Sequence, residues 1–120
     1  MNHKNTIHVK EVDIDNALNE EQIIKLIESA FNSQVIEKGY LKRNIHTQSS
    51  SQSSIFLCAF EDNQMIACNA FIANDFLFKN KLSVCYQSCW SATHPQHQGK
   101  GAFIKIQEEA KKILKERGAL

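Results

Sequence analysis

The segment from Ala92 to Phe103 combines residue types that bind anions with residue types that bend the chain. It follows an apolar run, Leu82 to Trp90, and leads into a stretch of helical periodicity, Gly101 to Arg117. A strand that runs into a glycine-rich turn and then a helix directs unpaired backbone N–H groups and the positive end of the helix dipole at one place. The spacing therefore predicts an anion site in this turn, with phosphate as its natural occupant.

The side chains of the turn favour the same interpretation. Gly99 and Gly101 let an anion approach the backbone, and Lys100 adds a positive charge. No aspartate or glutamate lies between Asp75 and Glu108 to repel it. The chain has neither GxxxxGK[ST] nor GxGxxG, which excludes a P-loop and a dinucleotide-binding fingerprint. The alternative is a flexible loop with an exposed lysine, because a pair of glycines is weak evidence by itself.

Apolar spacing predicts the elements that position this turn. Asn19 with Gln22 three residues later resembles a capping box, which predicts a helix from about 20 to 32. The final helix is expected to bury Phe103 at the start of its apolar face. The predicted order is a strand over Ile7, Val9 and Val12, the first helix, a short helix or irregular crossover over Gln34–His46, a polar loop over Thr47–Ser54, three strands over Ile55–Phe60, Met65–Ala73 and Leu82–Trp90, and the final helix Gly101–Arg117. This order predicts one α/β (α+β) domain over residues 1–120.

Strand alternation predicts which side chains share a face. A two-residue turn at Asp62-Asn63 would place residue 67 opposite Cys58. Cys58 and Cys68 would then lie on opposite faces, where they cannot form a disulfide. By the same alternation, Tyr86 and Trp90 are expected on one face.

Cysteines and histidines near the turn raise two further kinds of chemistry. Cys85, Gln87 and Cys89 share a strand face near His94 and His97, but their spacing matches no usual zinc pattern, so no metal is predicted. Cys89 with His94 as its base would form a nucleophilic pair. A cysteine in an apolar strand is more often a small buried residue, so this pairing is the weaker interpretation.

The composition describes one ordinary globular domain of 120 residues, 42% hydrophobic and 22% charged, with a net charge of +1. A near-neutral balance argues against nucleic acid as a partner, because proteins that neutralise many phosphates carry a basic excess. The run Ile55–Phe60 is far shorter than the roughly 18 to 20 apolar residues of a membrane span. The first ten residues contain no secretory signal. We therefore expect a cytoplasmic protein with four free thiols and neither nucleic acid nor membrane as a partner.

The segment His94-Pro95-x-x-Gln98-Gly99-Lys100-Gly101 resembles motif A of the GNAT superfamily of acyl-CoA-dependent N-acetyltransferases. In that family a (Gln/Arg)-x-x-Gly-x-(Gly/Ala) turn between the fourth strand and the third helix binds the pyrophosphate of coenzyme A through backbone amides. Counting from Pro95 aligns Gln98-x-x-Gly101-x-Phe103, with phenylalanine in place of a small residue. The register Gln96-x-x-Gly99-x-Gly101 matches literally but begins two residues early. We prefer the first register because Phe103 would also begin the apolar face of the helix.

The resemblance implies a mixed, mainly antiparallel sheet flanked by helices, and transfer of an acetyl group from acetyl-CoA, the co-substrate, to an amine of unknown identity. Ala92 and Thr93 would pair with the pantetheine arm, and a backbone N–H near residues 88–92 would stabilise the oxyanion. The coenzyme-binding residues implied in this way are Ala92, Thr93, Gln98, Gly99, Lys100, Gly101, Ala102 and Phe103. The resemblance names no catalytic acid or base in this sequence.

The sequence stops soon after Gly118, before the fifth strand and the tyrosine that usually acts as general acid in this family. The resemblance therefore implies a domain without the C-terminal strands, an inactive fragment that binds coenzyme A weakly. An open edge on the fourth strand would favour self-association. Two alternatives stay open: a non-catalytic module that binds coenzyme A or a nucleotide, and an interaction domain that uses the lysines of the final helix. Interspersed glutamates make that helix a mixed-charge face.

Overall fold

A computed structural model describes residues 6–31, 39–41, 43 and 53–118. The described elements are β1 (Ile7–Glu11), α1 (Ala17–Phe31), β2 (Ile55–Glu61), β3 (Gln64–Phe78), β4 (Lys81–Thr93), a 3-10 turn (Pro95–His97) and α2 (Ala102–Glu116). The four strands form one antiparallel sheet in the order β1-β2-β3-β4. The predicted fold class is confirmed. The predictions for Gln34–His46 and Thr47–Ser54 lie largely outside the described residues.

The sheet separates two apolar clusters, one for each helix. On one face, Ile23 of α1 and Phe56 of β2 belong to the same buried cluster. On the other face, Ile106 of α2 and Leu57 of β2 belong to a second cluster. Because both faces of β2 are covered, its sequence is apolar without alternation from Ile55 to Phe60. None of the described helices has the length and apolarity that crossing a membrane requires.

Helix α1 begins at Ala17, earlier than predicted, because Asn16 caps it. The Asn16 Oδ1 atom accepts hydrogen bonds from the backbone N–H groups of Leu18 (2.9 Å) and Asn19 (3.1 Å). Asn19 lies inside the helix, and its side-chain amide donates to the carbonyl of Asp13 at 3.0 Å. The predicted capping box at Asn19 was therefore wrong. Asparagine is a favoured N-cap residue at either position, and the contact of Asn19 with Asp13 accompanies the earlier start.

An unpaired residue in β3 changes the predicted register of β2 and β3. The turn at Asp62-Asn63 is present, with positive φ angles of 50° and 67°. Beyond it Ile66 has no partner on β2, so the strand contains a bulge and Cys58 pairs with Cys68. Both thiols lie in the cluster on the α1 face. The prediction that they face opposite ways was wrong because a bulge moves all later side chains by one position; both cysteines are nevertheless free.

A second bulge interrupts β4 just before the predicted turn. Trp90 and Ser91 both lie opposite Asn69, and Trp90 has a φ angle of 50°. The bulge places Trp90 on the α1 face, where its ring stacks on Phe56 with 5.8 Å between centroids. Tyr86 packs against the α2 cluster instead. The expectation that Tyr86 and Trp90 share a face was wrong for this reason.

Helix α2 lies where the sequence predicts it, but its buried face begins elsewhere. Ala102, Ile106 and Ala110 are buried at intervals of four residues. Phe103 is 44% exposed, which corrects the prediction that it begins the apolar face and removes the reason for preferring the first motif register. Gly118, with a φ angle of 72°, follows the helix in the left-handed conformation that commonly ends helices.

Candidate functional site

The chain leaves β4 through a short segment that is held at both ends. The backbone N–H of His94 donates to the carbonyl of Ile66, the bulged residue of β3, at 2.8 Å. The His94 Nδ1 atom accepts from the backbone N–H of Gln96 at 3.1 Å, and the His94 carbonyl accepts from the N–H of His97 at 2.8 Å. Pro95 has no N–H to satisfy in this first turn. The bulge in β3 therefore fixes the direction in which the chain enters the glycine-rich turn.

Gly99 and Gly101 give the turn a backbone shape that other residues rarely adopt. Their φ angles are 83° and 82°, in the left-handed region. Gly101 is the N-cap of α2 and supplies no side-chain hydrogen bond, and the first turn of the helix carries no acidic residue. The first N–H groups of a helix have no acceptor within it. A Cβ atom added at either glycine would meet no atom within 4 Å, so open donors and open space coincide in this turn.

Lys100 is already paired, which the sequence does not indicate. Its Nζ atom lies 3.0 Å from Glu61 Oε1 and 3.0 Å from His97 Nδ1. Glu61 is the last residue of β2, and its side chain is 9% exposed. Glu61 lies outside the acid-free interval between Asp75 and Glu108, and its carboxylate reaches the turn only because the strands pair in the sheet. An acidic residue that ends an apolar strand is the signal that could have found it.

Lys100 also brings its ammonium group against the ring of His97. An ammonium group can only donate, so the 3.0 Å contact is a hydrogen bond in the tautomer whose Nδ1 atom accepts. The same Nδ1 atom lies 3.7 Å from Glu61 Oε1. The His97 ring meets the His94 ring edge to face, with 5.4 Å between centroids. The turn thus has one fully polar side, built from a carboxylate, an ammonium and two imidazoles.

The eight implied coenzyme-binding residues form one continuous path. Ala92 and Thr93 end β4 and pair with β3, and no described strand pairs with their outer side. Gln98 to Gly101 form the turn, while Ala102 and Phe103 open α2. Ala102 is buried, so its side chain packs in the core and only its backbone would contribute to the turn. Contact of these residues with a coenzyme stays a prediction.

A buried asparagine behind the β4 bulge is a second residue, besides Glu61, that sequence reasoning missed. Asn69 is 0% exposed within an apolar stretch, and that unusual placement was its signal. Its Nδ2 group donates to the carbonyls of Ala70 (2.9 Å) and Cys89 (3.1 Å) and contacts Ser88 Oγ at 3.0 Å. Its Oδ1 atom accepts from Gln107 Nε2 on α2 at 2.8 Å.

The surroundings of Cys58, Cys68 and Cys89 disfavour nucleophilic chemistry by their thiols. Burial raises the pKa of the Cys68 thiol to about 12 and moves the pKa of Cys58 upward as well. Partial burial also raises the pKa of Cys89, which disfavours the thiolate that a nucleophile requires. All four cysteines are free, as the sequence predicts. Within residues 6–31, 39–41, 43 and 53–118, no group of three or more His, Cys, Asp or Glu side chains is placed to hold a metal ion.

Several solved structures share this fold. A conserved protein of unknown function from Enterococcus faecalis V583, a probable N-acyltransferase, is similar with a TM-score of 0.75 and 15% identity over 95% of this chain and 27% of that chain. A predicted acetyltransferase with acetyl-CoA from Clostridium acetobutylicum is similar with a TM-score of 0.72 and 18% identity, covering 96% of this chain and 77% of that one. Glucosamine-6-phosphate N-acetyltransferase from Arabidopsis thaliana gives a TM-score of 0.71 and 13% identity, covering 95% and 78%. No curated protein sequence matches the chain.

These similarities define the class of fold, which is that of N-acyltransferases. The chain covers about a quarter of the Enterococcus protein and about three quarters of the other two. Residues 15–120 match the family model of the acetyltransferase (GNAT) domain, and the chain belongs to this family. The resemblance drawn from the segment before α2 is therefore confirmed.

Proposed function

We propose that this chain binds acetyl-CoA through the turn between β4 and α2 and serves in acetyl transfer to an amine. The observation that carries the proposal is the pair of left-handed glycines, Gly99 and Gly101, placed directly before an N-terminus without a side-chain cap. Such a turn presents several N–H donors to one anion. Membership of the GNAT family favours the pyrophosphate of acetyl-CoA over other phosphate ligands.

The residues divide into two groups by the part of the coenzyme that they would hold. Backbone N–H groups from Gly99 to Phe103 would bind the pyrophosphate, and the outer side of Ala92 and Thr93 would pair with the pantetheine arm. Acetyl-CoA supplies the thioester whose acetyl group is transferred. The bulge at Trp90 interrupts the regular ladder between β3 and β4, and backbone donors outside a ladder are the kind that stabilise an oxyanion.

Calorimetric titration with acetyl-CoA tests the proposal. The parent chain should bind, and Gly101→Glu should abolish binding, because a carboxylate then occupies the space meant for a phosphate. Gly118→Glu is the matched control, since Gly118 also has a positive φ angle (72°) and open space around its Cα but lies at the far end of α2. This control introduces the same side chain with similar backbone strain and should bind as the parent does.

Three outcomes separate the possibilities. No binding by a parent chain whose circular dichroism shows a folded protein would overturn the proposal. Equal loss in both glycine variants would mean that strain in α2, not charge in the turn, removed binding. Release of the coenzyme thiol in the presence of an amine panel then measures transfer, and binding without release would support the non-catalytic module that the sequence left open.

A further inference from the structure

We infer that Asn69 is a positioning residue that couples the β4 bulge to α2 and thereby keeps the pantetheine-binding strand and the pyrophosphate-binding turn in a fixed relation. The inference rests on the proposed function, because the two elements matter together only if one ligand spans both. Asn69 would not touch that ligand. It lies behind the bulge on the side of the sheet that α2 covers.

The hydrogen bonds of Asn69 reach both elements from one buried side chain. Towards β4, its Nδ2 group donates to the Cys89 carbonyl at 3.1 Å, and Ser88 Oγ donates to its Oδ1 at 3.3 Å. Towards α2, Oδ1 accepts from Gln107 Nε2 at 2.8 Å. No described buried side-chain nitrogen or oxygen lacks a hydrogen-bond partner, so this network is complete.

A bulge needs such a network because it gives up regular ladder bonds. Trp90 and Ser91 together face a single residue of β3, and that residue is Asn69. An apolar side chain at this position would leave the Cys89 carbonyl without a donor from Asn69 in a partly buried setting, which is costly. The asparagine therefore fixes the shape of the bulge at the point where β4 approaches Ala92 and Thr93.

The hydrogen bond to Gln107 fixes the position of α2 relative to this bulge. Gln107 lies in the second turn of α2, and the helix is a rigid rod between it and Gly101. A shift of α2 relative to β4 would move the glycine turn against Ala92 and Thr93. At the other end of α2, Arg117 donates to the Tyr86 hydroxyl on β4 at 3.0 Å. Asn69 is thus the anchor at the end of the helix where the ligand would lie.

Two ligands distinguish positioning from simple stability. Coenzyme A contains the pantetheine arm and the pyrophosphate, whereas 3′-phospho-ADP contains the pyrophosphate without the arm. Asn69→Leu should weaken binding of coenzyme A at least tenfold and of 3′-phospho-ADP less than twofold, because the glycine turn itself is unchanged. Gln107→Met should give a smaller loss in the same direction, and Lys111→Met, an exposed change on the same helix, should give none.

The double variant Asn69→Leu/Gln107→Met should be no weaker than Asn69→Leu alone, because the two residues act through one bond. Additive losses, or equal losses for both ligands, would overturn the inference. If Asn69→Leu does not fold, Gln107→Met decides the question, since Gln107 is partly exposed on the surface of the helix.

A measurement without ligand separates this inference from the proposed function. In Gln107→Met, hydrogen exchange at the amides of residues 89–93 on β4 should be at least tenfold faster than in the parent. Unchanged exchange there would overturn the coupling even if coenzyme A binds. If the parent chain binds neither ligand but exchange is still faster in Gln107→Met, the coupling is supported and the proposed function is wrong.

Discussion

Glu61 controls how much of the positive charge of Lys100 is available to an anion in the turn. The carboxylate is nearly buried and lies 3.0 Å from the ammonium group, so the two charges largely offset each other. A pair of this kind in a partly buried place interacts more strongly than one in water. An anion in the turn would therefore be held mainly by the backbone N–H groups.

Removing this carboxylate should strengthen anion binding. We expect Glu61→Gln to raise the affinity for acetyl-CoA about three- to tenfold at low ionic strength, because Lys100 then faces the phosphate without a competing charge. Titrations at low and high salt measure the effect, which should shrink as salt screens it. Glu108→Gln, on the exposed side of α2, is the matched control and should change the affinity little. Weaker binding by Glu61→Gln would show that Glu61 holds Lys100 in place for the ligand.

Two buried thiols should make the fold sensitive to alkali. Burial raises the pKa of Cys68 to about 12, and the pKa of Cys58 also lies above its ordinary value. Above pH of about 9 the unfolded chain loses these protons while the native chain keeps them, so the free energy of unfolding falls as pH rises. Each thiol should contribute a slope of about 1.4 kcal/mol per pH unit.

Urea unfolding over this alkaline range measures the slope, and Cys68→Ala provides the comparison. The variant should start from a lower stability but lose it less steeply by about 1.4 kcal/mol per pH unit. The other titrating groups are the same in both proteins and cancel in the difference. Parallel slopes would contradict the expectation.

At the scale of elements, the cap of α1 can be tested by replacing two asparagines one at a time. Asn16→Ala should cost about 1 kcal/mol of stability, because the N–H groups of Leu18 and Asn19 lose their acceptor. Asn19→Ala should cost less, since it removes one exposed bond to Asp13 from within the helix and introduces the best helix former. Thermal or urea unfolding gives both values. The reverse order would restore the capping box that the sequence suggests.

The elements were predictable because each leaves a local pattern, whereas the register of the strands was not. Strands β2, β3 and β4 are rich in β-branched, aromatic and small residues bounded by turn residues, and all three lie where they were predicted. Strands β3 and β4 continue beyond their predicted ends, to Phe78 and Thr93. A bulge leaves no such mark. Ile66 and Trp90 suit a strand whether or not they are paired, and with a helix on each face of the sheet no polar alternation fixes the register.

The residues of the candidate site also fall into those that a local pattern predicts and those that it does not. Gly99, Gly101 and the start of α2 follow each other in sequence, so their spacing was enough to predict a glycine-rich turn that opens a helix. Anion binding in this turn stays a prediction. Glu61 and Asn69 reach the site through the pairing of strands and the docking of α2. Their roles depend on contacts between distant parts of the chain, which no local pattern encodes.

At the scale of the whole molecule, the far end of the β3–β4 hairpin exposes apolar side chains. Leu77 and Leu82 pair across the hairpin and are 73% and 60% exposed. Within the described residues, β4 also has a strand on one side only. An open edge beside exposed leucines favours pairing with another chain.

We expect the protein to self-associate as its concentration rises, which sedimentation velocity would detect. The double variant Leu77→Lys/Leu82→Lys should weaken association by at least tenfold, because it places charge beside the open edge. Ile104→Lys is the control, since Ile104 is 62% exposed on α2, away from the hairpin. A single monomeric boundary at every concentration would contradict this expectation, and equal effects of both changes would place the contact elsewhere.

The meander from β2 to β4 also bears on how the chain folds. Its strands are consecutive and joined by two tight turns, Asp62-Asn63 and Lys79-Asn80, each with positive φ angles. Closing such short loops costs little chain entropy, whereas joining β1 to β2 closes a loop of more than forty residues. The glycine turn and α2 continue directly from this meander. The part of the molecule that would hold a ligand is therefore also the part whose assembly costs the least chain entropy.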